Sequence, residues 1–287
     1  MEFLVIVLVW LLYSVFDMRL PANVDRWFIT WGQQVQQLIG DNNLGIAVRL
    51  LLPVILLSVA LYLTRHWVFG GVELIIGLLI FSYGIGRTDV ERAVKEHQVR
   101  MQEGDIQAAY RTALGNFYID NMEDSSDRLE LHQSVRRAVV LDSFDLWFAP
   151  MFWMLVAGPA GVLFYRLCSL DYQKDKHIEV KSILHVMNFI PGRLLVLTFA
   201  FMGHFVAASK RFLESLVEFS LSTVSLLDEA VLSATGRAPK GLDADPEVSD
   251  DIFSAAASNE IELVSSLMSR CVIAWLLVLA LVTVFSG

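Results

Sequence analysis

Long apolar stretches alternate with polar ones along the 287-residue chain, which is the pattern of a helical membrane protein. A helix that crosses a bilayer needs about 20 mostly apolar residues. Six stretches approach that length, and the first of them is short for a full crossing. They are residues 3–16, 44–64, 67–85, 148–167, 192–208 and 271–286. The pattern predicts an all-α polytopic membrane protein with about five or six membrane segments.

The polar segments between these stretches carry helix signals of their own. Thr88 followed by Glu91 is a capping box, and Gly104 followed by Asp105 marks one helix end and the next helix start. We therefore expect a helical cytoplasmic insert and not a disordered loop. The expected division is 1–85 N-terminal membrane helices, 86–144 helical cytoplasmic insert, 145–208 membrane core, 209–270 amphipathic cytoplasmic helices with a linker, and 271–287 C-terminal membrane helix.

Basic residues near the spans predict the orientation, because cytoplasmic loops are enriched in lysine and arginine. Residues 86–144 hold eight of them, 209–270 hold five and 166–190 hold four. With alternating crossings, this bias places both large polar segments in the cytoplasm and the N-terminus outside. The N-terminal apolar stretch lacks a basic region before it, so we expect a retained helix there and not a cleaved signal peptide.

Composition narrows the class of function. The chain is 55% hydrophobic and 18% charged, with a formal net charge of −9. This balance argues against nucleic acid as a partner, since phosphate binding needs a clustered basic surface. The two cysteines, Cys168 and Cys271, lie far apart beside apolar runs, so we expect both to be buried and predict no metal site. No Walker motif is present, and the sequence predicts no cofactor.

The stretch "FAPMFWMLVAGPAGVLFYRL", residues 148–167, carries a break in its middle. Pro159 cannot donate to the carbonyl of Leu155, and it pushes Gly158 away from helical geometry. We expect the helix to be kinked or interrupted there. The break is either a tolerated kink or a place where freed backbone groups face a ligand. Arg166, two turns further on, could reach a pocket or the lipid head groups.

The motifs around this stretch occur in a specific order. In chain order they are the polar helix face in "VVLDSFDLWFAP", the A-P-x-F-W that begins at the end of that stretch, the G-P-x-G break, Y-R, L-D and the N-x-x-P-x-R-L of "NFIPGRL". This order resembles adenosylcobinamide-phosphate synthase, the membrane protein of cobalamin synthesis. It is more similar still to the AmpE proteins, that enzyme's sister family in Gram-negative bacteria. The resemblance covers about residues 86–197, and the terminal helices match in layout only.

The chain departs from the synthase at its acidic motifs. Leu141 stands where the synthase has a glutamate, and Leu184 and His185 stand where it has an acidic pair. An ATP-dependent ligase needs acids to hold Mg²⁺ against phosphates. The resemblance therefore implies an AmpE-type sensory or regulatory protein of the inner membrane, acting in β-lactamase induction and the response to cell-wall damage, and not an enzyme. Two alternatives stay open, namely a membrane enzyme that retains amide ligation and a muropeptide transporter.

The residues predicted to bind a ligand lie at the ends of apolar runs or in the break, where a lone charge would be costly. They are Arg87, Asp89, Asp142, Asp145, Gly158, Pro159, Arg166, Asn188 and Arg193. Each could instead be a cap, a kink, a solvated helix face or an ion-pair member. We expect Asp145, Asn188 and Arg193 to converge in one polar cluster. The expected partners are the lipid bilayer, a small anionic ligand or a membrane or periplasmic protein, and a second copy of the chain could pair with the first.

Overall fold

A computed structural model describes residues 2–16, 22–64, 71–85, 90–117, 127–203, 222–236, 242 and 249–286. The regular structure of these residues is entirely helical, which confirms the all-α prediction. The α-helices are α1 Glu2–Phe16, α2 Arg26–Ile39, α3 Asn43–Thr64, α4 Gly71–Gly84, α5 Val90–Gln102, α6 Ile106–Asn116, α7 Arg128–Ser143, α8 Ala149–Asp175, α9 Ile178–Met202, α10 Thr223–Thr235 and α11 Asp250–Ser286.

Apolar helices of membrane length confirm the polytopic class. Among the described residues, four helical segments are long and apolar enough to cross a bilayer: Asn43–Thr64, Arg128–Asp175, Ile178–Met202 and Asp250–Thr283. The apolar helices α1 and α4 are shorter. The fifth expected segment begins earlier than predicted, because residues 178–191 already belong to the same helix. The chain is thus a multi-pass membrane protein in a lipid bilayer.

The helices form two compact units. Unit 1 consists of residues 1–87, 146–188 and 279–287, and unit 2 consists of residues 88–145 and 189–278. This grouping follows three-dimensional packing, whereas the five segments expected from the sequence follow membrane topology. The five-segment division therefore stays a prediction.

In unit 1, α4 packs along α8 through two glycines. A Cβ on Gly77 would lie 3.6 Å from the side chain of Met154, and one on Gly84 would clash with Val162. These contacts advance in the same direction along both helices, so α4 and α8 run parallel. Simple alternation of crossings predicts antiparallel helices here, so the structure differs from the expected topology. The 14-residue α4 is too short to cross a bilayer by itself, which explains how the alternation fails.

The predicted break in α8 is present, which confirms the expected interruption. Gly158 has φ 61° and ψ −156°, a backbone conformation that only glycine adopts readily, and Pro159 follows it. A Cβ on Gly161 would lie only 2.6 Å from the Cβ of Ala157, on the other side of the break. Gly161 therefore allows the two halves of α8 to approach each other.

Unit 2 packs α5 to α7 with α10 and α11. The predicted cap at Asp105 is confirmed, since its carboxylate accepts the backbone N–H of Ala108 at the start of α6. The expected amphipathic helix of the 209–270 segment is visible as α10, which buries Leu226, Leu227 and Val231. The capping residue Thr88 and the earlier part of that amphipathic segment, residues 209–221, lie outside the described residues.

Candidate functional site

The densest charged cluster of unit 1 lies where the N-terminal end of α3 meets the C-terminal end of α8. The guanidinium of Arg49 forms a salt bridge with the buried carboxylate of Asp171. Its Nη1 donates to Oδ2 of Asp175 at 3.0 Å, and its Nη2 lies 3.1 Å from Nδ1 of His177. Arg49 thus holds three side chains around the turn between α8 and α9, and we call these four residues the Arg49 cluster.

His177 joins the Arg49 cluster to the turn between α2 and α3. Its Nδ1 lies 2.9 Å from Oδ2 of Asp171, and its Nε2 lies 3.2 Å from Oδ1 of Asp41. Burial lowers the pKa of His177, but the hydrogen bond and the charge of Asp171 outweigh burial, so the pKa is raised above its ordinary value. The imidazolium form is favoured between these two carboxylates.

A second buried ion pair lies near the start of α2. Nη2 of Arg166 donates to Oδ2 of Asp25 at 3.1 Å, and both residues are buried. The ring of Tyr83 contacts that of Trp27, two residues after Asp25. Arg166 is therefore held in an ion pair inside unit 1. The sequence left open whether Arg166 reaches a pocket or the lipid head groups, and the structure places its guanidinium beside Asp25.

A cavity of about 320 Å³ separates α2 from the ends of α3 and α8 and borders both ion-paired groups. It has an apolar wall and a charged wall. Its lining residues are Asp25, Phe28, Ile29, Gly32, Arg49, Leu170, Asp171, Gln173, Lys174 and Asp175. A mostly apolar space with a few convergent polar groups is the usual form of a small-molecule site. The cavity is large enough for a small ligand that carries a charged group.

The acids of the Arg49 cluster could also attract a metal ion. Donor atoms of Asp171, Asp175 and His177 lie within 4.8 Å of one another. However, the guanidinium of Arg49 contacts all three side chains and occupies the space between them. A positive charge therefore already lies against these three side chains, and we assign no metal to them.

The predicted site residues are distributed over both units. Arg166 contacts the cavity residue Asp25, but none of the nine predicted residues lines the cavity itself. Arg87 and Asp89 lie outside the described residues. Gly158 and Pro159 lie about three to five turns of α8 before the cavity residues, in the interrupted part of the helix.

Four further predicted residues lie close to the boundary between the units in sequence. Asp142 and Asp145 are half-buried, and a π-helical turn over residues 144–148 begins between them. Arg193 is buried in unit 2, where it donates to the carbonyl of Phe189 at 3.2 Å and stacks over that residue's ring. Asn188 belongs to unit 1, so its convergence with Asp145 and Arg193 stays a prediction.

Sequence reasoning missed the members of the Arg49 cluster as site residues. The signal existed for two of them. Arg49 is a charged residue within an apolar span, which marks a functional candidate, and Asp171 is the aspartate of the L-D motif. Asp25 and His177 gave no signal, because neither stands at a recognisable spacing from the others in the sequence.

Unit 2 contains a buried charged network of a different kind. Arg136 donates to both carboxylate oxygens of Asp228, at 2.9 and 3.2 Å, and to Oε1 of Glu260 at 2.7 Å. Arg137 donates to the same Asp228 at 2.9 Å, and Nε2 of His132 lies 3.6 Å from Glu260. This network joins α7, α10 and α11, and we call it the Arg136 network.

The chain is similar to known proteins over most of its length. The family model described as "Regulatory signalling modulator protein AmpE" matches residues 1–286. Protein AmpE of Shigella flexneri is 25% identical over 178 residues, which cover 58% of this chain and 63% of that protein. No solved structure matches the chain.

Cobalamin biosynthesis proteins are also similar to the chain. The CobD protein of Chromobacterium violaceum is 25% identical over 141 residues, 46% of this chain and 45% of that protein. The CobD protein of Stutzerimonas stutzeri is 31% identical over 80 residues, 25% of this chain and 26% of that protein. The chain thus spans less than two thirds of the length of each curated relative it matches. The expected relationship to both families is confirmed.

Proposed function

Because this chain belongs to the AmpE family of regulatory signalling modulators, we propose that it regulates β-lactamase induction in the inner membrane of a Gram-negative bacterium. In this proposal the protein responds to cell-wall damage by binding a small ligand or a protein partner. Binding then changes the conformation of this membrane protein, and the ligand itself is not chemically transformed.

The cavity of unit 1 carries the proposal. It is about 320 Å³ and is lined on one side by Phe28, Ile29 and Leu170 and on the other by Arg49 and Asp175. An apolar wall facing charged groups suits a ligand that has an apolar body and a charged group. The members of the Arg49 cluster come from α3 and from the end of α8 with the turn after it, so a ligand that displaces one of their contacts would shift these two segments.

The residues predicted from the sequence remain part of the proposal. Arg166 acts through its ion pair with Asp25, which lines the cavity. The break at Gly158 gives α8 a point at which its two halves can move separately. Asp145 and Arg193 of unit 2 remain candidate ligand-binding residues in this proposal.

The proposal can be tested by complementation. A Gram-negative strain that lacks its own AmpE would carry either the wild-type chain or Ile29→Trp, which fills the cavity without removing a charge. We expect the variant to insert normally but to change β-lactamase activity, measured by nitrocefin hydrolysis after an inducing β-lactam. Wild-type behaviour of the cavity-filled variant would contradict the proposal.

A matched control separates the cavity from general damage. Arg92→Ala removes an arginine from an exposed pair with Glu96 on α5. Its induction should equal that of the wild type, because an exposed pair on a helix contributes about 0.3–0.5 kcal/mol. Membrane levels of all variants would be compared by immunoblot.

We also propose that the chain has no ATP-dependent ligase activity. Leu141, Leu184 and His185 stand where the similar synthase carries acids. Fewer carboxylates are therefore available to hold Mg²⁺ against phosphates. Purified protein would be incubated with ATP, Mg²⁺, an amino alcohol phosphate and a cobyric-acid-like substrate. Substrate-dependent ATP turnover would overturn this part of the proposal.

A further inference from the structure

His177 bridges two turns of unit 1 through two groups that can only accept hydrogen bonds. Its Nδ1 lies 2.9 Å from Asp171 and its Nε2 lies 3.2 Å from Asp41. An ionised carboxylate offers no donor, so both ring nitrogens must carry a proton for both hydrogen bonds to form. Only the imidazolium form of His177 donates to both carboxylates, whereas a neutral ring donates to one of them.

We propose that His177 is a proton-binding site that fastens the α2–α3 turn to the α8–α9 turn and loosens this link when the proton is lost. Asp41 lies in the α2–α3 turn, Asp171 lies near the end of α8, and His177 itself lies between α8 and α9. The contacts of His177 with Arg49 and Asp171, which both line the cavity, connect its protonation to the charge at the edge of that cavity.

The charged groups that face His177 come from three elements. They are Asp41 from the α2–α3 turn, Arg49 from α3, and Asp171 and Asp175 from α8. Three carboxylates oppose one guanidinium, so the surroundings favour a proton on the ring. Nη2 of Arg49, 3.1 Å from Nδ1, opposes this effect but is itself neutralised by Asp171 and Asp175.

Deprotonation weakens the hydrogen bond to Asp41. A neutral imidazole keeps a single N–H, so only one of its nitrogens can then donate to a carboxylate. If Nε2 keeps the proton, Nδ1 can accept from Nη2 of Arg49 at 3.1 Å, and the bond to Asp41 loses the contribution of the ring charge. If Nδ1 keeps the proton, the bond to Asp41 is lost, and water can replace it because the side chain of Asp41 is 51% exposed. In either tautomer the α2–α3 turn is held less firmly.

The direction of the pH effect follows from linkage. The pKa of His177 is raised in the folded protein, because Asp171 outweighs the effect of burial. The stabilisation is therefore complete below the ordinary histidine pKa of about 6.5 and is lost as the pH rises through the raised value. The bridge is therefore stronger in acid than in alkaline solution.

A double-mutant cycle tests this bridge. Thermal midpoints of the full-length protein in nanodiscs would be measured for wild type, His177→Gln, Asp41→Asn and the double variant, at about pH 5.5 and about pH 8.5. We expect a coupling of about 2–4 °C at the lower pH, as for one hydrogen-bonded charge pair in a protein of this size. At the higher pH the coupling should fall below about 1 °C. Equal coupling at both pH values, or none at the lower, would overturn the proposal.

Two further measurements keep the test decisive. Glu103→Gln removes one carboxylate from the exposed Arg100–Glu103 pair, and it should show no pH-dependent coupling to His177. If His177→Gln does not fold, the nitrogen resonances of ¹⁵N-histidine-labelled wild-type protein give the same answer. Both His177 nitrogens should be protonated at about pH 6.5, where a free histidine is half neutral, and a neutral ring there would contradict the bridge.

Discussion

Each unit of the molecule buries an arginine against two carboxylates, yet the two clusters differ in their access to solvent. In unit 2, Arg136, Asp228 and Glu260 are all buried, and the arginine makes three hydrogen bonds to them. In unit 1, Arg49 and Asp171 are buried, but the side chain of Asp175 is 30% exposed and the group borders a cavity. Similar residues thus form a closed network in one unit and an open one in the other.

The difference separates a structural role from a candidate functional one. An ion pair that is buried away from water cannot exchange partners without a large cost in free energy. A cluster that reaches water can lose one contact and replace it with a solvent molecule or a ligand. The Arg136 network therefore fixes the packing of α7, α10 and α11, whereas the Arg49 cluster can respond to a proton or a ligand.

Breaking the Arg136 network should have the largest effect on stability. Arg136→Met leaves Asp228 and Glu260 buried without their main partner. We expect the free energy of unfolding to fall by about 3–5 kcal/mol, as for other broken buried pairs, with loss of most folded protein from membranes. Fluorescence-detected size-exclusion chromatography and thermal unfolding would measure the loss.

The neighbouring arginine provides the control for this prediction. Arg137 contacts the same Asp228, but its side chain is 49% exposed. Arg137→Met should cost less than about 1 kcal/mol, because water replaces most of the lost interaction. Equal losses for Arg136→Met and Arg137→Met would show that the Arg136 network does not act as a closed unit.

The backbone break of unit 1 gives the next largest effect. Gly158 has a positive φ and Gly115 of unit 2 lies in a regular helix, while a Cβ at either position would meet no atom within 4 Å. Gly158→Ala should therefore cost about 1–3 kcal/mol from backbone strain alone, and Gly115→Ala should be neutral or slightly stabilising. Thermal unfolding of both variants would show whether the break is as strongly constrained as its geometry requires.

The open cluster should separate signalling from stability. Asp175→Asn removes a half-exposed partner of Arg49 and should cost less than about 1 kcal/mol. Because Asp175 lines the cavity, we expect the same variant to change β-lactamase induction severalfold. Thermal unfolding and nitrocefin hydrolysis would be measured on the same preparations. Unchanged induction would move the candidate site away from the Arg49 cluster.

The sequence predicted the features that depend on neighbours along the chain. Apolar stretches of membrane length predicted the helices, Asp105 predicted a cap, and Gly158-Pro159 predicted the interruption of α8. Each follows from local rules on hydrophobic burial, capping and proline geometry. The order of motifs from Ala149 to Leu194 also pointed to the family.

The candidate site could not be predicted in the same way, because its members meet only in three dimensions. Asp25, Asp41 and Arg49 lie more than 100 residues from Asp171 and His177 in the chain. The short α4, which runs parallel to α8, was also unexpected, since alternating crossings assume that every apolar stretch spans the bilayer. Both features depend on which helices pack together, and neither the spacing nor the periodicity of residues along the chain shows that pairing.

Two histidines should respond to pH in opposite directions, which is the smallest predicted effect. His97 of unit 2 is buried, and its Nδ1 lies 3.0 Å from the carbonyl of Ala109. Burial lowers the pKa of His97, and the hydrogen bond to Ala109 only partly offsets this. Its stabilisation is therefore present above the ordinary histidine pKa of about 6.5 and is lost as the pH falls towards the lowered value, by at most about 1.4 kcal/mol per pH unit.

The variant His97→Phe fills the same buried space and removes the titration. Its stability should fall less than that of the wild type between about pH 7 and pH 5, although loss of the hydrogen bond to Ala109 lowers its stability at every pH. His177→Gln should change the slope in the opposite sense, because Asp171 and Asp41 stabilise the charged form of the His177 ring. Thermal midpoints across this range would measure both slopes. Slopes of the same sign would contradict the opposite directions of the pKa shifts of His97 and His177.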